Sequence, residues 1–407
     1  MPEAYIVATA RSPIGRARKG SLATMRPDDL AARMVRAALD SVPQLDPSRI
    51  DDLMLGCGQP AGEQGFNIAR IVSVLLGLDT VPGTTVNRYC SSSLQTTRMA
   101  FHAIKAGEGD VFVSAGVEAV SRYTQGMSDV MPGIAIENPV FSDAVTITAR
   151  RAELGAPPWT DPRSYSALPD PYIAMGQTAE NVAQVHGITR DEQDAFAARS
   201  QQRAEAAIAS GFWAQDITPV TLDDGTVVAA DDGPRAGVTV EALAGLDPVF
   251  RPDGTITAGN CCPLNDGAAA LVVVSDRVVD ELGLEPLARI VSTGVSGLSP
   301  EIMGLGPVDA SRQALSRAGL AIADIDLVEI NEAFAAQVIP SARELGIDEE
   351  RLNVHGGAIA VGHPFGMTGA RITSTLINGL AATGGRYGLE TMCVGGGQGM
   401  ALVLERV

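Results

Sequence analysis

Four short stretches of this sequence hold residues that could do chemistry. In "VNRYCSSSLQ", residues 86 to 95, Cys90 stands between an extended, β-branched run and the start of a helix. At its reference pKa of roughly 8.5 a cysteine is only about 3% thiolate at pH 7. The unpaired N–H groups and macrodipole of a helix start would favour the thiolate and make Cys90 a nucleophile; a buried, inert cysteine that only packs is the other reading. "NVHGGAIAVGHPFGMTGA", residues 353 to 370, holds His363 in a glycine-dense loop before a helix, either as a general acid or base or as a solvent-facing turn residue. "CVGGGQG", residues 393 to 399, ends an apolar run on Cys393. The N–H groups of its three glycines could face an oxyanion, or the glycines could simply turn a hairpin. In "IDLVEINEAFAAQ", residues 325 to 337, Asn331 and Glu332 lie where a strand passes into a helix. Glu332 could complement the helix dipole there, and the Asn331 carboxamide could hold a water or polarise a carbonyl.

The elements that must position these groups follow from periodicity. Residues 4 to 119 alternate strand-like runs ("AYIVATA", "DDLMLGC", "GTTVNRYC", "DVFVSAG") with helical stretches, the pattern of a layered α/β protein. The helix after Cys90 repeats Leu94, Met99 and Ile104 and stops at Gly107. Residues 121 to 175, rich in Pro, Ser and Met, read as long surface excursions. A helix follows, started by a Thr189/Glu192 capping box and stopped at Gly211. Strand-like runs return with "GTITAGNCCPLNDGAAALVVVSD" and alternate with helices again from 285 to 407. A weak repeat pairs "NDGAAALVVVSD" with "GGQGMALVLERV", and "VFVSAG" with "TMCVGGG". If the halves are related, Cys90 and His363 occupy equivalent strand-to-helix junctions, and two such junctions facing across a pseudo-two-fold axis would build one site.

Composition narrows the function classes. A chain of 407 residues with 45% hydrophobic content is ordinary for a globular protein of two or three domains. The net charge of −18 argues against a nucleic-acid surface, so an anionic ligand must be met by a local site. No apolar run reaches membrane length, the N-terminus lacks a basic segment followed by an apolar stretch, and "VLERV" carries no peroxisomal address. The expectation is a cytoplasmic protein that neither enters a membrane nor binds nucleic acid. Its five cysteines lack C-x-x-C spacing and its four histidines do not cluster with them, which argues for reduced thiols and no metal site.

Over essentially its whole length the chain resembles the thiolase family. The resemblance rests on "VNRYCSSSLQ", "NEAFA", "GGAIAVGHPFGMTGAR" and "CVGGGQG", in the family order, with "TAGN" and "NDGAAA" also in place. It implies a five-layer αβαβα fold of two similar halves, residues 1–119 with 248–276 and residues 277–407, carrying an inserted CoA-binding loop domain at 120–247. It also implies a homodimer or homotetramer, CoA as co-substrate with no permanently bound cofactor, and reversible C-acyl transfer between CoA thioesters, as in fatty-acid metabolism.

Carried over residue by residue, Cys90 matches the acylated nucleophile, His363 its base, and Cys393 the acid/base at the substrate α-carbon. Asn331 matches the residue that holds an oxyanion-hole water beside His363, while the Cys90 and Gly395 N–H groups match the second oxyanion hole. Thioester exchange needs a thiolate, and a Claisen step needs an α-proton base and a site for the enolate oxygen. Arg235 in "DDGPRAG" matches the arginine near the CoA nucleotide. Met175, Phe250 and Met303 match apolar residues of the pantetheine and acyl channel, with Ala258, Cys262 and Phe334 as further substrate-binding positions. The chain departs from the family at several places. Cys262 stands where a serine is usual, Ala174 replaces the histidine of short-chain biosynthetic members, Ser93 replaces a common glycine, and His355 stands where asparagine is frequent. "VTLDDGTVV" also lacks the basic loop of those members. These departures bear on acyl-chain length, direction and assembly, and leave the catalytic groups untouched. Two competing readings are a lipid-binding thiolase-like protein and a decarboxylating condensing enzyme. Intact Cys90, His363 and Cys393 oppose the first; Asn331 and Cys393, where that family offers a second histidine or asparagine, oppose the second.

Overall fold

The sequence alternates strand and helix twice in the same order, and the chain folds into two half-sheets of the same pattern. The structure, a computed structural model, describes residues 2–122 and 137–407. In chain order the first half supplies β1 (Ala4–Arg11), α1 (Pro27–Asp40), β2 (Asp52–Gly56), α2 (Ile68–Leu75), β3 (Gly83–Val86), α3 (Ser92–Ala106) and β4 (Val111–Ala119). Several helices follow, among them α4 (Met175–His186) and α5 (Arg190–Ala209), and then β5 (Asn265–Ser275). The second half supplies β6 (Ala288–Gly297), α6 (Gly306–Ala318), β7 (Leu327–Ile330), α7 (Ala335–Leu345), α8 (Thr368–Thr383), β8 (Tyr387–Val394) and β9 (Gln398–Arg406).

The strand order is β3-β2-β4-β5-β1 in one half and β7-β8-β9-β6 in the other, joined edge to edge where β1 meets β6 antiparallel. The polarity repeats as well. β2 runs parallel to β4 as β7 does to β8, and β5 and β9 then run antiparallel to those strands. A parallel bridge from Val328 to Leu352 stands where β3 lies in the first half. The segments that look alike in sequence, β5 with β9 and β4 with β8, therefore hold the same places in their sheets.

Period-2 alternation sends each strand's side chains to opposite faces, and three apolar clusters result. Leu271 and Val273 of β5, with Leu402 and Leu404 of β9, point into a central cluster with Leu94 and Ile104 of α3 and Ile372 and Leu376 of α8. Val272 and Val274 face the other way, onto Leu30, Met34 and Ile68 of α1 and α2. Ala401 and Val403 face Leu315 of α6 and Val338 of α7. Three cores between helices and sheets make five layers, α-β-α-β-α. Because β5 is covered on both faces, it reads as one unbroken apolar run.

Two expectations need correction. Within residues 121 to 175, Ser142–Arg151 is a helix rather than an irregular excursion. Its periodicity was illegible because only Ala144 and Arg151 are buried on it, and a buried ion pair of 2.8 Å from Arg151 to Glu301 anchors it. The part of that excursion at 123–136 lies outside the described residues. Residues 254–264 also form no strand; Asn260 accepts from Thr257 N–H at 2.8 Å and donates to Asp194 at 2.9 Å, folding the segment into a turn. The Thr189/Glu192 capping box of α5 forms as the sequence implies. Among the described residues no helix is long and apolar enough to cross a membrane.

Candidate active site

The two middle-layer helices start side by side. A Cβ on Gly369, in the first turn of α8, would lie 2.2 Å from the Leu94 nitrogen of α3, so only glycine allows this approach. Cys90 lies in the 3-10 turn Tyr89–Ser91 just ahead of α3, and His363 lies just ahead of α8. The central packing of the two halves thus brings a thiol and an imidazole from residues 273 positions apart to one place.

Cys90 is half-buried and faces a cleft of about 450 Å³, whose lining also includes Tyr89, Met175, Phe365, Gly395 and Gly396. Burial pushes its thiol up to about 12, and the Glu118 charge adds to the rise. The Gly395 N–H, aimed at the sulfur, pulls the other way. The expectation that a helix start would hold a thiolate at rest is therefore corrected: withdrawal from water outweighs the dipole. Iodoacetamide labelling of Cys90 should accordingly keep rising from about pH 7 to about pH 10, with no levelling near the ordinary cysteine value of about 8.5. A plateau at that value in a rate-versus-pH profile would contradict the burial effect.

His363 follows Gly362, whose φ of 113° lies in glycine territory and whose Cβ would strike Ile14 and Asn265. Asn265 Oδ1 holds the His363 N–H at 2.9 Å. The ring Nδ1 lies 2.7 Å from Thr368 Oγ1, and that hydroxyl donates its own proton to the Pro364 carbonyl at 2.6 Å. Thr368 must then accept from Nδ1–H, which leaves the Nε2 lone pair to accept from Asn331 Nδ2 at 3.3 Å. Burial first, and the charge of Arg371 second, push His363 down to about 3. At neutral pH the imidazole is uncharged, with its basic nitrogen facing Asn331.

Asn331 is fixed from both sides, its N–H donating to Thr391 at 3.0 Å and its carbonyl accepting from Gln337 at 2.7 Å. Cys393 is fully buried near the end of β8, and burial pushes its thiol up, to which a thiolate at Cys90 would add. Cys393 also belongs to an apolar cluster with Met303 and Phe334, against which Met175, Phe250 and Cys262 pack. The rings of Phe250 and Phe334 meet edge to face at 6.2 Å. A second cleft of about 300 Å³ is lined by Arg235, Ala258 and Cys262. Arg235 is exposed, its N–H held by Gln201 at 2.9 Å, and its guanidinium makes no ion pair among the described residues. Cys90, Gly395 and Met175 thus line one cleft, Cys393, Met303 and Phe334 form an apolar cluster with Phe250 packed against it, and Arg235, Ala258 and Cys262 line a second cleft, while His363 and Asn331 line neither.

Three further residues shape the site. Thr368 sets the imidazole tautomer, and its position five residues after His363, on the first turn of a helix, was the available signal. Glu118, buried on β4, accepts N–H bonds from Gly58 (2.7 Å), Gln59 (3.2 Å) and Gly366 (2.8 Å), which joins the two loops flanking the cleft. An acid inside an otherwise apolar strand marked it. Glu332 departs from the dipole reading. It is buried and accepts from Ser200 Oγ (2.6 Å), Asn353 Nδ2 (2.8 Å) and Ile359 N–H (3.1 Å), tying α5 to the segment before His363.

The family models described as "Thiolase, N-terminal domain" and "Thiolase, C-terminal domain" match residues 4–277 and 284–406. The chain belongs to the thiolase family. This thiolase is 44% identical to a beta-ketoadipyl-CoA thiolase of Pseudomonas aeruginosa, over 100% of this chain and 99% of that protein. It is 43% identical to a 3-ketoacyl-CoA thiolase of Bacillus subtilis, over the full length of both. The crystal structure of the Bacillus anthracis acetyl-CoA acetyltransferase superposes with a TM-score of 0.85 at 39% identity, covering 100% of this chain and 99% of that one. This thiolase is accordingly a C-acyltransferase acting on CoA thioesters, and its five layers are the thiolase fold.

Proposed function

We propose that this thiolase cleaves 3-ketoacyl-CoA with CoA, reversibly, through an acyl group carried on Cys90. The observation that carries the reading is a neutral thiol and a neutral imidazole whose Nε2 carries the lone pair, at the neighbouring starts of α3 and α8. As the Cys90 sulfur attacks the 3-keto carbon, His363 Nε2 takes its proton, and the Cys90 and Gly395 N–H groups hold the oxyanion. The C2–C3 bond then breaks, leaving the acyl group on Cys90. The departing enolate, held at its oxygen by His363 and Asn331 through a water, takes the Cys393 thiol proton at C2 and leaves as acetyl-CoA. The protonated His363 returns its proton to the Cys393 thiolate, and the neutral imidazole then takes the proton of incoming CoA as the CoA sulfur attacks the thioester. Cys90 leaves as a thiolate and recovers its proton from His363. A thiol whose pKa is raised, like that of Cys393, is a proton donor at rest, which suits the cleavage direction. Incubation with acetyl-CoA should add one acetyl mass, on the Cys90 peptide; acetylation elsewhere, or none, would sink the reading.

In this reading Arg235 meets a CoA phosphate, Ala258 and Cys262 border the pantetheine, and Met175, Phe250, Met303 and Phe334 form the apolar channel wall. The loop domain at 120–247 supplies the CoA contacts, between halves 1–119 with 248–276 and 277–407. Arg235→Ala should raise KM for CoA about tenfold and leave kcat near its original value, because a contact far from the reacting carbon binds ground and transition states alike. An unchanged KM would remove Arg235 from the site. CoA is the co-substrate and no resident cofactor is required. The protein acts in the cytoplasm, where its five free thiols stay reduced. It assembles as a homodimer or homotetramer, for which the open edge strand β3 and the neighbouring Phe66, 95% exposed, offer a surface. A monomer by sedimentation at micromolar concentration would refute that.

A further inference from the structure

We propose that the cleft at Cys90 selects 3-ketoacyl-CoA substrates whose acyl tail is uncharged and apolar, and discriminates against acyl chains ending in a carboxylate. The inference rests on the thiolase reading above and goes further, to the substrate class. The acyl group on Cys90 must lie in the cleft of about 450 Å³, since that is the space the thiol faces. Its walls include Pro171, Ile173, Ala174, Met175 and Phe365, together with Tyr89 and Tyr172.

The charges that this space meets are negative. Glu137 lines the cleft and is exposed. Behind the lining residues Gly58 and Gln59 sits the Glu118 carboxylate, which takes both of their N–H groups and so turns those donors away from any acyl terminus. None of the described lining residues is Lys, Arg or His. A terminal carboxylate placed here would lose water and meet Glu137 and Glu118, with no cation among the described lining residues to offset either effect. A terminal methyl would gain from the same walls. The beta-ketoadipyl-CoA thiolases at 44% identity are named for a dicarboxylic acyl group, so the proposal gives this chain a different substrate class from the one in their name.

The test compares two substrates of equal chain length on the purified full-length protein: 3-ketohexanoyl-CoA, ending in a methyl, and 3-ketoadipyl-CoA, ending in a carboxylate. The ratio of kcat/KM values should favour the methyl-ended substrate at least about 30-fold, as expected for burying an unpaired charge beside like charges. Equal values, or a preference for 3-ketoadipyl-CoA, would overturn the proposal. Acylation by acetyl-CoA, followed by mass, runs alongside. Acylation with neither six-carbon substrate turned over overturns this proposal alone, whereas absence of acylation overturns the thiolase reading as well. In Glu137→Lys the ratio should shrink at least about fivefold, and that shrinkage should fade as salt is raised, because the new charge is exposed. A ratio unmoved by that change of sign would overturn the electrostatic basis of the selection.

Discussion

Replacing His363 by alanine is expected to lower kcat/KM for thiolysis by three to four orders of magnitude, about the upper range for loss of a general base. With the Cys90 thiol raised to about 12, its thiolate fraction at pH 7 is only on the order of 10⁻⁵. Attack without a base must draw on that fraction. Thr368, which fixes the Nδ1–H tautomer, cannot take over, because its own proton is committed to Pro364. Acylation by acetyl-CoA, followed by intact mass at timed quenches, should slow to the same extent. If His363→Ala acylated within tenfold of the unaltered protein, another group would have to be the base, and the neutral thiol–imidazole pair would lose its role. Because burial has already pushed His363 down to about 3, the base form persists well below neutral pH in the free protein. Any acidic fall in kcat/KM near pH 6 must then come from another group or from the substrate.

Cys393→Ala should divide the reaction in two. Exchange of the acyl group between CoA sulfur and Cys90 makes no carbon acid, so exchange of labelled CoA into acetyl-CoA should stay within about fivefold of the unaltered rate. Enolate formation and protonation should fall by about three orders of magnitude, seen as loss of both condensation and deuterium uptake at the acetyl methyl in D2O. The removed thiol is deep in the apolar cluster with Met303 and Phe334, so thermal unfolding of the variant serves as the control for a packing defect. Retention of methyl deuterium exchange at the unaltered rate would assign the α-carbon proton to a different group. His363→Ala, by contrast, should lose all three activities, and the contrast between the two variants tests the division of labour directly.

Local signals were enough for much of this protein. The stop of α3 at Gly107, the Thr189/Glu192 cap of α5 and the glycine before His363 are set by φ and by hydrogen bonds within a few residues, so types and spacing in the chain determine them. The same holds for the order of strands and helices, because periods of 2 and 3.6 are written along the sequence. The resemblance in four blocks picked out the candidate catalytic residues for a related reason: the residue types and their order within each block are legible along the chain. Tertiary structure alone decided the rest. The approach of α3 and α8 at Gly369 joins residues far apart in the chain, and the Glu118 and Glu332 links cross between elements in a way that no local pattern records. The charge states of Cys90 and His363 were decided there too, since a helix start promises a thiolate while the bulk of protein packed around the sulfur withdraws water from it. Water is removed by the whole fold at once, and so the sequence determined which groups can react, while the packing of the two halves determined the protonation states in which they wait.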